Sequence, residues 1–306
     1  MVATDAAYDT CERDARAHYE NFPVASLLVP RRMRRHVAAV YAFARAADDF
    51  ADEGSRQPGE RLALLDGWSR RLRHAAASDE AGWPPAPSEP AHTVAIFLAV
   101  GASIRARSLP VPLFDDLLSA FRQDVTVTRY ATWNQLFDYC RRSANPVGRL
   151  VLRIAGYDEP RLDRWSDATC TALQLTNFWQ DLGIDVDRGR MYLPAEAQQV
   201  HGARESDLAA RRLTEPWRQA LASAVRRTRA LFDEGRPVCD AVSGRLRYEL
   251  RATWLGGTRV LDRLERSGYD ALAHRPSIGV ADGPWFGWQM LAWKSRRASL
   301  DGSSPV

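Results

Sequence analysis

Apolar side chains recur along most of this chain at intervals of three and four residues, which places them on one face of an α-helix. The alternation of apolar and polar residues that is typical of strands is nearly absent. The pattern predicts helices at 5–20, 31–53, 59–77, 91–106, 110–124, 132–155, 159–184, 203–235, 239–266 and 283–297. No β-α-β alternation and no fixed repeat appears, so we expect an all-α protein.

A proline-rich stretch at 78–90 interrupts this pattern and predicts a surface loop. Helical segments of similar character flank it on both sides, so it need not separate two domains. The chain has 306 residues, 45% of them hydrophobic, and can bury a large core. We therefore expect one all-α domain over 1–306, ending in a tail at about 283–306.

The basic residues are almost all arginine, and Lys294 is the one lysine of the sequence. This excludes a G-x-x-x-x-G-K-[ST] phosphate loop and a Schiff-base lysine inside the protein. If the protein handles phosphates, it must use arginine, metal or backbone groups.

The four cysteines form no C-x-x-C pair, and no histidines have metal-ligand spacing. This favours reduced thiols in a cytoplasmic protein without a zinc site. The polar N-terminal segment does not resemble a signal peptide, and the longest apolar stretch, 94–104, is too short to cross a bilayer. We expect a cytoplasmic protein, or one that lies on a membrane surface.

A first acidic cluster, R-A-A-D-D-F-A-D-E, continues an apolar helical stripe. Val37, Tyr41, Ala44, Asp48 and Asp52 follow one another at spacings that place them on one face. Two inward carboxylates one turn apart repel each other, which raises their pKa values unless a cation joins them. Magnesium suits such a place because it binds a few carboxylates together with phosphate oxygens. The alternative is a fraying helix end whose acids are solvated.

A second ladder consists of Asn177, Asp181 and Asp185, each one helical turn apart. Thr169 and Leu173 extend it backwards, so it also joins an inward stripe. The alternative is an acidic helix end that enters a turn. Burying both ladders without partners would be unfavourable, and a polyanion bridged by several magnesium ions would resolve the conflict.

Residues near the second ladder support this interpretation. Gly183 lies inside the predicted helix, where glycine costs about 1 kcal/mol relative to alanine, which indicates close packing or approach by a ligand. Arg188 and Arg190 follow directly and are placed to meet phosphate charge.

The two ladders together resemble the squalene/phytoene synthase family, in the pairing of D-x-x-x-D with N-x-x-Q-D-x-x-x-D. The segment D-R-G-R-M-Y-L-P at 187–194 is similar to the family's motif too, and the similarity runs from about residue 18 to about residue 264. The resemblance implies an all-α isoprenoid synthase fold in which the ladders face each other across a central cavity. It also implies magnesium ions bound with a prenyl diphosphate substrate.

The resemblance carries roles over to particular residues. The metal–diphosphate assembly would be held by Asp48, Asp52, Asn177, Asp181 and Asp185. Arg45, with Arg188, would contact diphosphate oxygens. The remaining substrate pocket would be lined by Phe22, Tyr41, Tyr139, Gln174 and Tyr248, and Tyr139 would take part in catalysis. The alternative for each aromatic residue is an ordinary place in the core.

Two short segments resemble one bacterial branch of this family, the hydroxysqualene synthases of the hopanoid pathway. They are Y-C-R-R-S-A-N-P-V-G at 139–148, in place of the more usual Y-C-x-x-V-A-G-x-V-G, and E-N-F-P-V-A-S at 20–26. The implied reaction is ionisation of presqualene diphosphate, rearrangement and capture by water, for which no NADPH is expected. Asn145 brings an amide that could hold this water; the alternative is that Asn145-Pro146 shapes a helix kink.

Two other functions remain open on the sequence. The same scaffold could condense two prenyl diphosphates to presqualene diphosphate, squalene or phytoene. A non-catalytic helical scaffold or nucleic-acid binder is suggested by the basic run at 30–35. That run lacks the interleaved aromatic residues on which bases stack, so we expect no nucleic-acid partner.

The tail brings tryptophans and cations together, with Trp285, Trp288 and Trp293 near Lys294, Arg296 and Arg297. Aromatic residues flanked by cations suit a bilayer interface. The alternative is a terminal helix that packs on the domain. A C30 substrate must come from lipid, so we expect peripheral membrane contact.

Overall fold

The structure, a computed structural model, describes residues 2–17, 29–80 and 82–294. In this part of the chain the regular structure is helical, which confirms the all-α prediction. The helices are α1 (Val2–Ala17), α2 (Arg31–Asp52), α3 (Pro58–Ala77), α4 (Thr93–Arg107), α5 (Val111–Asp124), α6 (Trp133–Ser143), α7 (Asn145–Ala155), α8 (Pro160–Gln180), α9 (Leu182–Asp187), α10 (Ala195–His201), α11 (Glu205–Ala209), α12 (Glu215–Gly235), α13 (Val238–Ala241), α14 (Gly244–Arg266) and α15 (Gly283–Leu291).

The helices enclose two apolar cores. The first is built mainly from α1 to α5 and α7, and its central Trp68 is buried against Phe43 and Phe97, with ring centroids 4.5 Å apart for Trp68 and Phe97. The second core lies among α6, α8, α12 and the end of α14, where the ring of Phe178 stacks 3.7 Å from that of Tyr192. Residues of both cores line one cavity between them, and this cavity holds the candidate site.

The predicted helix 132–155 is two helices in the structure, because α6 ends at Ser143 and α7 begins at Asn145. Pro146 has no N–H to donate, and its ring would clash with the carbonyl group four residues earlier in a continuous helix. Ala144, the residue between the two helices, has φ −112° and ψ −45°. The kink considered for Asn145-Pro146 is therefore present.

The predicted helix 159–184 is also two helices in the structure, because it is interrupted at Asp181. The amide of Asp181 still donates to the Asn177 carbonyl at 2.8 Å, and the amide of Asp185 donates to the Asp181 carbonyl at 2.9 Å. The ladder thus keeps its spacing of one turn through the kink. A Cβ atom on Gly183 would lie 2.9 Å from the Leu272 carbonyl oxygen, so close packing accounts for this glycine.

Three further predicted helices differ in extent. The stretch 203–235 contains α11 and then α12, which starts with a proline in its first turn, a favoured position. The stretch 239–266 is mainly α14, with the short α13 before it. The last helix, α15, ends at Leu291, and residues 295–297 lie outside the described part of the chain.

Several smaller predictions concern the surface and the thiols. The stretch 78–90 is irregular where described, as predicted, and is anchored by a buried ion pair of 2.9 Å between Arg71 and Glu89. The basic run forms the first turn of α2, with Arg31 and Arg32 exposed. The four cysteines are free thiols. Among the described helices, none is both long and apolar enough to cross a membrane.

Candidate active site

A cavity of about 1090 Å³ lies between the two cores. Most of its charged side chains belong to the two acidic ladders or lie beside them, Glu249 lines it from α14, and many of the other lining residues are apolar. The apolar part includes Val29, Met33, Val37, Val147, Val151, Leu152, Leu173, Val238, Leu246 and Leu250. A side pocket of about 210 Å³ shares lining residues with the cavity and is closed by apolar residues that include Phe121, Leu150 and Ile154. The space therefore suits a charged group joined to a long hydrocarbon.

The first acidic ladder occupies the last turns of α2, as predicted. Asp52 is clamped by the guanidinium group of Arg190, whose Nη1 lies 2.7 Å from Asp52 Oδ2 and whose Nη2 contacts Oδ1. Arg45 pairs with Asp49 at 2.8 Å and approaches Asp48 Oδ2 at 4.0 Å. Burial beneath the protein surface, together with the Asp52 carboxylate, raises the pKa of Asp48 to about 6. The side chain nevertheless keeps 44% of its area accessible, because it faces the cavity.

The second acidic ladder faces the same cavity from α8 and α9. Arg275, on the segment after α14, reaches over it: its Nε contacts Asp181 Oδ1, and its Nη2 lies 3.4 Å from Oδ2. Burial and the Asp181 carboxylate raise the pKa of Asp185 to about 7, although Arg190 and Arg188 oppose this. Because Arg190 also binds Asp52, it connects the two ladders across the cavity.

The ladder residues fit magnesium held jointly with a diphosphate. All of their donors are carboxylate or amide oxygens, the ligands that a hard cation prefers. Burial raises the pKa values of Asp48 and Asp185, and repulsion by the neighbouring carboxylate adds to this; a bound cation would relieve the repulsion. In the described part of the chain, no three acidic, histidine or cysteine side chains lie close enough to hold a metal by themselves. Phosphate oxygens of a diphosphate are ligands that could complete such a set.

An acidic residue that the sequence analysis missed, Asp124, lies in the same wall at the end of α5. The hydroxyl of Tyr139, which lines the cavity as predicted, donates to Asp124 Oδ2 at 3.0 Å. Burial, with smaller contributions from the two acids of the first ladder, raises the pKa of Asp124 to about 8 despite this hydrogen bond. The sequence pattern could have indicated Asp124, because this residue continues the apolar stripe of Leu117 and Phe121. Asp48 continues the apolar stripe of α2 in the same way.

Three more of the predicted pocket residues reach the cavity walls. Gln174 and Arg188 line the main cavity. Tyr41 lines the side pocket beside Arg45. The structure thus brings these residues together with both ladders.

Three other predicted residues are placed differently. Tyr248 is 48% exposed on the outer side of α14, where its ring lies 5.9 Å from the Arg251 guanidinium, and it is absent from the described cavity wall. Asn145 is buried behind the wall, and its Oδ1 accepts a hydrogen bond of 2.9 Å from Thr171. The direction of the Tyr248 side chain depends on how α14 is rotated about its axis, and that of Asn145 depends on the kink before Pro146. Sequence periodicity shows neither. Phe22 lies outside the described residues.

These observations define an enzyme with an all-α isoprenoid synthase fold, whose cavity joins acidic ladders to an apolar chamber. The Squalene/phytoene synthase family profile matches residues 15–281, and the chain belongs to this family. It is thus an enzyme of isoprenoid biosynthesis, in a family that acts on prenyl diphosphates.

Individual relatives are similar over much of the chain. The hydroxysqualene synthase of Zymomonas mobilis subsp. mobilis is 38% identical over 216 residues, which are 70% of this chain and 67% of that protein. The hydroxysqualene synthase of Sinorhizobium fredii is 35% identical, with 78% and 76% covered. The crystal structure of squalene synthase HpnC from Alicyclobacillus acidocaldarius has a TM-score of 0.78 and 42% identity, and covers 88% of this chain and 97% of that one.

Proposed function

We propose that this enzyme is a hydroxysqualene synthase, which converts presqualene diphosphate and water into hydroxysqualene and diphosphate in hopanoid biosynthesis. The observation that carries the proposal is the cavity whose wall combines two acidic ladders and several arginines with many apolar side chains. Its volume of about 1090 Å³ is large for a ligand pocket and suits a C30 substrate. The hydroxysqualene synthases among the similar proteins support this choice of reaction.

Binding of the diphosphate would use both ladders. Magnesium would be held by Asp48, Asp52, Asn177, Asp181 and Asp185, and when bound it would stabilise the charge that develops on the leaving diphosphate. Arg190 and Arg275, which pair with Asp52 and Asp181, would exchange part of these contacts for diphosphate oxygens.

The rest of the cavity would then handle the carbocation. Tyr139, Phe178 and Tyr192 all line the cavity, and electron-rich aromatic rings can stabilise a positive charge. The apolar walls keep bulk water away, so the cation can rearrange before it is captured. The enzyme needs no covalent nucleophile and no hydride donor for this sequence of steps.

A second candidate reaction is the condensation of two prenyl diphosphates on the same scaffold. It is favoured by the side pocket of about 210 Å³ joined to the main cavity, which could receive a second hydrocarbon arm. The similar structure from Alicyclobacillus acidocaldarius is of a squalene synthase, which fits this reaction too.

An assay with both substrates tests the proposal. Purified enzyme with magnesium and without NADPH is given either presqualene diphosphate or farnesyl diphosphate, and released diphosphate and products are measured. We expect rapid turnover of presqualene diphosphate to hydroxysqualene. Condensation of farnesyl diphosphate, with presqualene diphosphate left intact, would instead establish the second candidate.

The proposal also places the enzyme in the cytoplasm, on the inner membrane surface. Helix α15 has no buried residue, and its Trp288 and Leu291 are 67% and 87% exposed. Phe286 of the same helix lines the cavity, so this exposed surface lies next to the substrate's chamber. Trp293, in contrast, packs on the domain and donates to Asp240 at 3.0 Å. Part of the tail is therefore anchored while part is available for lipid.

A further inference from the structure

The basic run at 30–35 has no part in the reaction proposed above. It opens α2, and its Arg31, Arg32 and Arg35 are exposed. Arg31 and Arg32 form no ion pair with any residue in the described ranges, and Arg35 approaches the exposed carboxylate of Asp5 at 3.8 Å. The start of α2 therefore carries positive charge that other side chains neutralise only in part.

A fourth arginine joins this group from the end of α4. Nη2 of Arg107 lies 3.5 Å from the carbonyl oxygen of Arg32. Burial lowers the pKa of His36, and the nearby charges of Arg107 and Arg35 add to this, so the two guanidinium groups lie close to one another. Like charges repel each other, and a bound anion would relieve this repulsion. The basic patch, as we call it, consists of Arg31, Arg32, Arg35 and Arg107.

The basic patch lies far from the first acidic ladder along α2. Met33, within the basic run, is buried and lines the cavity, as does Val29 just before the run. Asp48 follows Met33 on the same helix after about four turns, or about 22 Å. The arginines of α2 therefore lie outside an apolar part of the cavity wall and not beside the candidate diphosphate site.

Helix α14 begins at the same end of the cavity. Leu246, in its first turn, lines the cavity. The hydroxyl of Ser243, just before α14, lies 3.0 Å from that of Tyr157, just before α8. Asp181 of the second ladder follows at the other end of α8, about six turns later. We call the part of the wall formed by Val29, Met33, Val238 and Leu246 the apolar end.

The exposed side chains of α15 lie near the apolar end too. Trp293, just after this helix, donates to Asp240 of α13 at 3.0 Å, and Val238 of α13 belongs to the apolar end. The exposed Trp288 and Leu291 lie within about one and a half turns of Trp293. Exposed apolar side chains combined with arginines are typical of a surface that binds a bilayer.

We propose that the basic patch binds the headgroups of anionic phospholipids, so that the apolar end of the cavity faces the bilayer. This inference extends the membrane contact proposed above to a second surface. It holds for either candidate reaction, because presqualene diphosphate and farnesyl diphosphate both carry hydrocarbon chains that enter lipid. An arginine close to an anionic membrane surface strengthens binding about fivefold. Nucleic acid is the other anion to consider, but the run at 30–35 contains no aromatic residue on which bases could stack.

The test measures binding of the full chain to vesicles by flotation. One set of vesicles is phosphatidylcholine alone, and the other is an equimolar mixture of phosphatidylcholine and phosphatidylglycerol. We expect the wild type to bind the anionic vesicles at least about tenfold more tightly, and this preference should weaken as salt is added. The triple variant Arg31→Gln, Arg32→Gln and Arg35→Gln should lose at least about tenfold in affinity for the anionic vesicles.

Two matched variants show whether position and charge cause the effect. Arg204→Gln, Arg211→Gln and Arg212→Gln together remove the same charge from exposed positions near the second ladder, where Arg211 pairs with Asp187. This protein should bind like the wild type. Replacing the three arginines of α2 by lysine keeps the charge and should also preserve binding. Circular dichroism confirms that each variant is folded.

Three results would overturn the proposal. They are equal binding of the wild type to both kinds of vesicle, equal loss of binding in the two glutamine triple variants, and loss of RNA binding without loss of vesicle binding in the α2 variant. Turnover of prenyl diphosphates in detergent, measured on the same proteins, reports separately on the proposed function. An inactive wild type would refute that function without changing the result for lipid binding.

Discussion

At the scale of single residues, the site contains more carboxyl groups than it can keep ionised together. Asp48, Asp124 and Asp185 all have raised pKa values, chiefly because they are buried near other acids. The sequence indicated two of these three, because each continues an apolar helical stripe. It could not indicate the partners Arg190 and Arg275, since these reach the ladders across 138 and 94 residues of chain.

The roles of the second ladder can be tested with two aspartates that are two residues apart. Asp185 faces the cavity, whereas Asp187 lies outside its wall and pairs with Arg211. Asp185→Asn should reduce turnover by at least about 100-fold, the scale of losing one strong electrostatic contribution to a transition state. Asp187→Asn should keep nearly full activity. Steady-state kinetics, with circular dichroism to confirm folding, measures both; equal activities would contradict the assignment.

At the scale of helices, apolar periodicity located the helical segments but joined pieces that the structure separates. The break at Asp181 is invisible to periodicity because the hydrogen bonds of the ladder continue through it. The break before Pro146 was foreseeable from the residue type. The orientation of Tyr248 depends on how α14 is rotated about its axis. The sequence of α14 mixes apolar and polar residues, so its pattern does not predict which side of the helix faces the cavity.

The packing at the second kink gives a prediction for stability. Gly183→Ala would place a Cβ atom 2.9 and 3.0 Å from the carbonyl oxygens of Leu272 and Ala271. The backbone would have to shift, and we expect a loss of about 1–3 kcal/mol in the free energy of unfolding. Gly67→Ala, within α3 and with its nearest neighbour at 3.9 Å, should instead stabilise by about 0.5–1 kcal/mol. Denaturant unfolding measures both, and a Gly183→Ala protein as stable as the wild type would contradict this account.

A buried histidine that joins three helices predicts a dependence of stability on pH. His36 of α2 shares hydrogen-bonding contacts of 3.3 and 3.0 Å with Tyr8 of α1 and Ser103 of α4. Burial, with the nearby Arg107 and Arg35, lowers the pKa of His36 to about 4. The unfolded chain therefore takes up the proton first as pH falls below about 6.5.

The sign of this effect follows from proton uptake. The contribution of His36 to the free energy of unfolding is constant above about pH 7. Between about pH 6.5 and 4 the free energy of unfolding falls, by up to roughly 3 kcal/mol. Replacing His36→Gln should remove that part of the pH dependence. Urea unfolding of both proteins from pH 4 to pH 8 measures it. Parallel curves for the two proteins would show that His36 does not titrate in this way.

At the scale of the whole molecule, two apolar cores enclose a chamber that opens beside an exposed aromatic helix. The sequence predicted the all-α fold. It did not show which tryptophans pack, because Trp293 finds its partner Asp240 across 53 residues. Whether the whole of 1–306 forms one domain remains a prediction, since parts of it lie outside the described residues.

Membrane contact through α15 predicts weaker binding when its exposed apolar residues are removed. The double variant Trp288→Ser and Leu291→Ser should bind vesicles containing anionic lipid at least about tenfold more weakly, since burial of each side chain contributes about 1.5–3 kcal/mol. Val200→Ser, an exposed apolar position 79% accessible on α10, serves as the control. Vesicle flotation measures binding, and equal flotation of all forms would count against this surface.

The reaction itself is tested most directly by the origin of the oxygen atom in the product. The wild-type enzyme is incubated with magnesium and presqualene diphosphate in water labelled with oxygen-18, without NADPH, and the products are analysed by mass spectrometry. We predict hydroxysqualene whose hydroxyl group carries the label, because in the proposed reaction water captures the cation in the cavity. Squalene, phytoene or unlabelled product, or no consumption of presqualene diphosphate, would contradict the assignment.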